Sequence, residues 1–243
     1  MTIQDITLGQ FQEIYKINKS DLPTEEKLTE LVAAISGKTT NEVEEMSIPE
    51  FNKLAKQVQE VLSSPLPQPK PERTICGYGI TYEPAKLTRG QYVTVNHFVS
   101  KDVVENCHYI MASLTYNTKT GKHEADKHSE IAEKLQDAKL VDIYPTCVFF
   151  LSALRRFHEE FGELFTKAVD TEGDESEGSE RGDDGFNERF GWLYNAKQVA
   201  DFEGISLWDF WDKDVMSFLN HLVYLRNYNA HMEKLSKDAN TKR

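Results

Sequence analysis

Apolar residues return at helical spacing along most of this chain, and only one short stretch carries the residues of a strand. Phe11, Ile14 and Tyr15 make one helical stripe. Leu28, Leu31, Val32 and Ile35 make a second, closed by Gly37 where a left-handed C′ residue is expected. A short helix over 42–46 leads into a third stripe, Phe51, Leu54, Ala55, Val58 and Leu62. Strand chemistry is confined to 74–82, where Ile75, Tyr78, Ile80 and Tyr82 sit among two glycines and predict a small β-hairpin or edge strand near 74–84. Helical spacing resumes from Thr88 with Tyr92, Val95, Phe98 and Val99. A helix from Asp102 is expected to turn Val103, Val104, Cys107, Ile110 and Leu114 inward. A polar turn over 116–122 predicts a second small β element near 116–124. Helices follow over 129–139 and 145–169, the latter with the broad apolar face of a central core helix, and a last long helix begins at about Asp214. The fold class expected is mainly α.

Two interruptions divide this pattern. Pro65-Leu66-Pro67-Gln68-Pro69-Lys70-Pro71 forbids helix and favours an extended, semi-rigid spacer. Over 170–188 there are nine acidic residues against Arg181, with four glycines and no apolar residue before Phe186, a composition that does not bury enough surface to offset its ordering entropy. The expected organisation is therefore linear. An N-terminal helical unit spans 1–63, a Pro-rich linker 64–72, an α-rich core with its β element 73–169, an acidic disordered loop 170–188, and an aromatic-rich helical segment 189–243.

Helix starts are written into the chain by one recurring device. Ile6-Thr7-Leu8-Gly9-Gln10-Phe11, Met46-Ser47-Ile48-Pro49-Glu50-Phe51 and Leu87-Thr88-Arg89-Gly90-Gln91-Tyr92 share it, and Ile205-Ser206-Leu207-Trp208-Asp209-Phe210 is a looser copy. In each, the Ser or Thr hydroxyl is placed to accept from the N3 amide, the N3 side chain to reach back, and flanking apolar residues to staple the first turn. Helices are expected to start after Thr7, Ser47, Thr88 and Ser206. Two copies add a glycine that capping does not require, because glycine is a poor residue inside a first turn.

Composition narrows the function. Of 243 residues 39 % are apolar, enough for a proper core, and 40 acidic against 28 basic residues give a formal charge of −12. That charge opposes direct binding to nucleic acid or to an anionic membrane. Met1-Thr2-Ile3-Gln4-Asp5 lacks basic and apolar signal regions, and no long uncharged apolar run occurs, so neither a membrane protein nor a secreted one is expected. Cys76, Cys107 and Cys147 are odd in number and widely spaced, which argues for buried free thiols. His123-Glu124-Ala125-Asp126-Lys127-His128 fails the zinc-protease spacing: a gap of five residues leaves the two histidines about 140° apart on a helix. Cys107 and His108 are neighbours in sequence and do not face each other on a helix, and His158 and His221 are expected to be hydrogen-bonded boundary histidines. No catalytic, cofactor-binding or metal-binding residues are assigned.

The strand preceding Leu87-Thr88-Arg89-Gly90-Gln91-Tyr92, the stretch ending Ile110-Met111-Ala112-Ser113-Leu114 and the Phe149-Phe150-Leu151 helix together resemble small proteins from the structural-gene modules of tailed, crAss-like double-stranded-DNA bacteriophages. The likeness runs loosely over residues 3 to 165, and those proteins look like tail or virion-assembly chaperones. The resemblance implies a non-enzymatic assembly factor, without cofactor, that binds a phage structural protein in the host cytoplasm or within the virion. Alternatives in keeping with the composition are a minor virion component, such as a connector or packaged cargo protein, and an acidic inhibitor acting through the 170–184 strip. The candidate partner-binding residues are the aromatics Trp192, Tyr194, Trp208 and Trp211.

Overall fold

A computed structural model describes residues 2–165 and 186–241. The acidic run falls outside the described residues except at its end, where a helix begins at Phe186. The described chain is mainly α with one small antiparallel sheet. Its helices are α1 Leu8–Lys19, α2 Thr24–Ser36, α3 Thr40–Glu44, α4 Ile48–Ser63, α5 Arg89–Val99, α6 Cys107–Ser113, α7 His128–Gln136, α8 Leu140–Glu160, α9 Gly162–Phe165, α10 Phe186–Glu203, α11 Leu207–Phe210 and α12 Val215–Thr241. The strands are β1 Thr74–Ile75, β2 Tyr78–Ile80 and β3 Thr115–Tyr116, in the order β1-β2-β3.

Two compact units result, and both are discontinuous in sequence. Unit 1 is Met1–Tyr82 with Thr94–Ala153, and unit 2 is Glu83–Val93 with Leu154–Arg243. Segment 1–63 therefore shares unit 1 with most of 73–169, expected to follow it as a separate segment, while 83–93 and the residues from 154 on belong to unit 2. The reason is burial: Ile6 and Leu8 are fully enclosed, and α1 packs on α2 and on the distant α7. The proline run joins no two units. Lys70 donates its N–H to the Pro145 carbonyl, Thr146 Oγ1 donates to the Lys70 carbonyl, and the Glu72 N–H donates to Thr146 Oγ1, so the run ends pinned to α8 within unit 1.

The sheet shows how local sequence decides geometry. β1 and β2 are joined by Cys76 and Gly77, both at positive φ (51° and 84°), the conformation a two-residue hairpin loop needs. This corrects the expectation for Cys76, whose thiol is exposed because it stands at the turn; Cys107 and Cys147 are buried as expected. The second β element pairs with the first rather than with itself, through Gly79↔Tyr116 and Ile80↔Thr115. The Tyr116 ring occupies the space that a side chain at Gly79 would fill. Elsewhere α8 starts at Leu140 and carries Pro145 within its second turn, earlier than the proline suggested. Asp102 caps a turn, accepting from the Val104 and Glu105 amides, and the helix itself begins at Cys107.

The capping device is partly as expected. Thr7 and Thr88 form reciprocal boxes with Gln10 and Gln91, and Ser206 accepts from the Asp209 amide. Ser47 is at the N-cap of α4 but makes no side-chain cap bond, while Thr39 and Glu42 form an unforeseen complete box on α3.

The two glycine-bearing caps do more than start helices. Thr7 forms an antiparallel β-bridge with Lys139, the residue before α8, and Thr88 forms one with Asp214, the residue before α12. In unit 1 the Leu8 N–H donates to the Ala138 carbonyl (2.9 Å) and the Leu140 N–H to the Ile6 carbonyl (3.0 Å). In unit 2 the Arg89 N–H donates to the Lys213 carbonyl (2.8 Å) and the Val215 N–H to the Leu87 carbonyl (3.1 Å). Each is a clasp that joins two helix N-termini and satisfies amides their helices leave unpaired. The glycines admit the approach. A Cβ on Gly9 would meet the Gln136 carbonyl oxygen at 3.3 Å, and one on Gly90 would meet the Trp211 carbonyl oxygen at 3.4 Å.

Helix propensity alone favours alanine over glycine by about 1 kcal/mol. Chemical denaturation should show that gain for Gly191→Ala in α10, where the added methyl meets nothing within 4 Å. Gly9→Ala should instead lower stability, because backbone stands in its way; a stabilised G9A would show that the clasp does not need its glycine.

Candidate functional site

Unit 2 brings most of the chain's notable chemistry together around its clasp. At the first helical position, where unit 1 buries Leu8, unit 2 buries Arg89, of which 1 % is exposed. Its guanidinium donates to both Glu203 oxygens (2.9 and 2.6 Å), to Ser217 Oγ (2.7 Å) and to the Asp214 carbonyl (3.1 Å). The group lies 4.4 Å from the Phe210 ring centre and 5.8 Å from that of Phe218, so its planar face is used as well as its edge. His221 Nδ1 lies 2.7 Å from Glu203 Oε1. Partial burial pushes the Glu203 carboxyl up, but the bonds from Arg89 and His221 more than offset it and hold the group below its usual range. A buried charge of this kind persists only when its partners are in place. Sequence reading missed this network; the one signal was an arginine in the slot where the other copy has leucine.

The four candidate aromatics divide into two kinds. Trp192 is half-buried and meets the enclosed Tyr92 edge-on at 5.8 Å, with Phe218 at 6.3 Å, so it belongs largely to the unit 2 core. Trp211 is also half-buried; its ring stands perpendicular to Phe210 at 5.1 Å, and its carbonyl accepts from the Gly90 N–H at 3.0 Å. Tyr194 is 50 % exposed and Trp208 is 88 % exposed. Trp192 and Tyr194 line a groove of ≈ 610 Å³ between α10 and α12, with Asn195, Gln198, Leu222 and Asn229. Beside it, Phe202, Tyr224 and Tyr228 form an exposed ladder with successive ring centres 5.5 and 6.0 Å apart.

Unit 1 holds a second buried polar group. His108 is 7 % exposed, with its Nδ1 2.9 Å from Gln12 Nε2 and its Nε2 3.4 Å from Gln136 Nε2. Gln12 also donates to the carbonyls of Val104 and Glu105 at 2.8 and 3.1 Å, which ties α1 to the start of α6. Burial first, and the nearby Lys16 and His128 charges second, lower the His108 pKa to about 4. His123 lies against the Thr115 carbonyl, while His128 faces Ser113 and the Tyr109 carbonyl, so these two serve separate local contacts. His158 meets the Tyr92 hydroxyl at 3.0 Å. Among the described residues no group of three or more His, Cys, Asp or Glu is arranged to hold a metal ion. No described helix is long and apolar enough to cross a membrane.

Arg89→Ala should cost about 3–5 kcal/mol in urea denaturation, since it leaves Glu203 partly buried without its main cation. Trp208→Ala should change stability by less than about 0.5 kcal/mol. A pH series tests His108. Its folded pKa of about 4 lies below its ordinary 6.5, so the unfolded chain binds more protons between those values. Its contribution is present above pH 6.5 and is lost as pH falls towards 4, with a slope of up to about 1.4 kcal/mol per pH unit. His108→Gln should flatten that slope, and an unchanged slope would place the titration on other groups.

Comparison with protein-family models, with curated proteins and with solved structures found no match to this chain.

Proposed function

We propose that the chain is a non-enzymatic bacteriophage assembly factor, a tail-assembly chaperone that binds another virion protein. The observation that carries this reading is the aromatic surface of unit 2. Trp208, Tyr194, Phe202, Tyr224 and Tyr228 are each about half exposed or more. Aromatic rings exposed in such number are costly in water and are typical anchors of protein interfaces. They stand on a unit whose interior is fixed by the Arg89 network, so the surface is presented on a rigid support. A strongly acidic chain remains soluble while displaying them. The resemblance of its capped-helix sequences to phage assembly proteins supplies the setting: the partner is a phage structural protein, met in the host cytoplasm.

Affinity purification of the tagged full chain from infected cells should recover a structural protein at a fixed ratio, and mass spectrometry of purified particles should not detect the chain. Presence of the chain in particles at constant copy number would assign it instead as a minor virion component. Failure to recover any structural protein would refute the assembly reading.

A further inference from the structure

The two clasps serve as controls for each other. Leu135 and Phe210 are both fully buried at the end of the preceding helix, and Leu140 and Val215 are both fully buried after the turn, so the residues between them correspond one to one. Counting back two positions, Trp208 in unit 2 stands where unit 1 has the exposed Glu133. The clasp therefore does not require a tryptophan there. The turn is also more acidic on balance: Lys134 and Lys139 of unit 1 are replaced by Asp209 and Asp214, Asp137 corresponds to Asp212, and Ala138, replaced by Lys213, changes the other way. Asp209 and Asp212 are exposed beside Trp208, and Lys213 is the one cation of this turn. Ile205 and Leu207 are half-buried next to it and extend its apolar surface.

We infer that the α11–α12 turn is a docking knob for an arginine- or lysine-bearing segment of the partner protein, with Trp208 as the stacking face and Asp209 and Asp212 as counter-charges. Tryptophan is the best side-chain acceptor of a cation over its ring, and neighbouring carboxylates fix the cation's edge. Unit 2 already recognises one arginine in this way: Arg89 lies over Phe210 while Glu203 holds its edge. At the knob the Trp208 ring is exposed together with Asp209 and Asp212, and the Asp209 carboxylate also accepts from the Ser206 hydroxyl at the cap of α11 (2.6 Å). The inference rests on the reading of the chain as a partner-binding protein and specifies the chemistry of what it binds.

The test uses the full chain and short fluorescent peptides of alternating arginine and serine, lysine and serine, or glutamate and serine, read by fluorescence anisotropy. The arginine peptide should bind and shift the Trp208 indole N–H resonance, and the glutamate peptide should not. Trp208→Ala and Asp212→Lys should each weaken binding about ten-fold without lowering the melting temperature, whereas Glu133→Ala should have no effect. Undiminished binding in Trp208→Ala, or equal binding of all three peptides, overturns the proposal. So does self-association lost in Trp208→Ala, which would assign the knob to a second copy. The same variants separate this proposal from the assembly reading. A virion protein captured equally by wild type and Trp208→Ala overturns the knob and leaves assembly standing. Trp208-dependent peptide binding with no virion protein captured supports the knob and refutes assembly.

Discussion

An antiparallel join between two extended helix caps is the constraint on which both units depend. A helix begins with amides that have no partner within it, and water ordinarily satisfies them. Here two such beginnings satisfy each other, Leu8 with Ala138 and Leu140 with Ile6, and in the same manner Arg89 with Lys213 and Val215 with Leu87. The arrangement buries the flanking apolar residues Ile6, Leu8, Leu140, Leu87 and Val215, which anchor the cores. It also demands that backbone pass close to backbone, which is why Gly9 and Gly90 stand inside first turns where propensity alone disfavours them.

Much of this architecture was legible because it is local. Capping boxes at Thr7 and Thr88 follow from side-chain reach, Gly37 closes α2 in the left-handed region, and β-branched and aromatic residues around two glycines mark the hairpin. What escaped was long-range. Nothing near Thr7 in sequence announces Lys139, so the glycines were visible as an excess without a cause. The Pro-rich run looked like a spacer because its composition forbids helix, yet a few hydrogen bonds to α8 suffice to make it part of one unit. The candidate aromatics could not be sorted from pattern, since Trp208 and Trp211 lie three residues apart in similar company; the clasp decides that Trp211 packs against its backbone while Trp208 points to solvent.

Unit 2 differs from unit 1 chiefly in where it places charge. Leu8 fills its slot with hydrocarbon alone, whereas Arg89 requires Glu203, Ser217 and two aromatic faces around it. Such an arrangement adds little net stability over an apolar filling but penalises any other pairing heavily, because the guanidinium would then be buried without its acids. The cap of α5 therefore fits against the start of α12 and poorly against that of α8, although the two clasps share their backbone pattern.

The order of the four caps along the chain is interleaved: Thr7, Thr88, Lys139, Asp214, with the first joined to the third and the second to the fourth. During synthesis, a chain that has emerged as far as α8 holds both halves of the first clasp and only one half of the second. Unit 1 can close at that stage, while Arg89 stays hydrated until Glu203 and Ser217 have followed it out. The aromatic surface of unit 2 thus acquires its support only when α12 arrives, so it is the last part of the described chain to be completed.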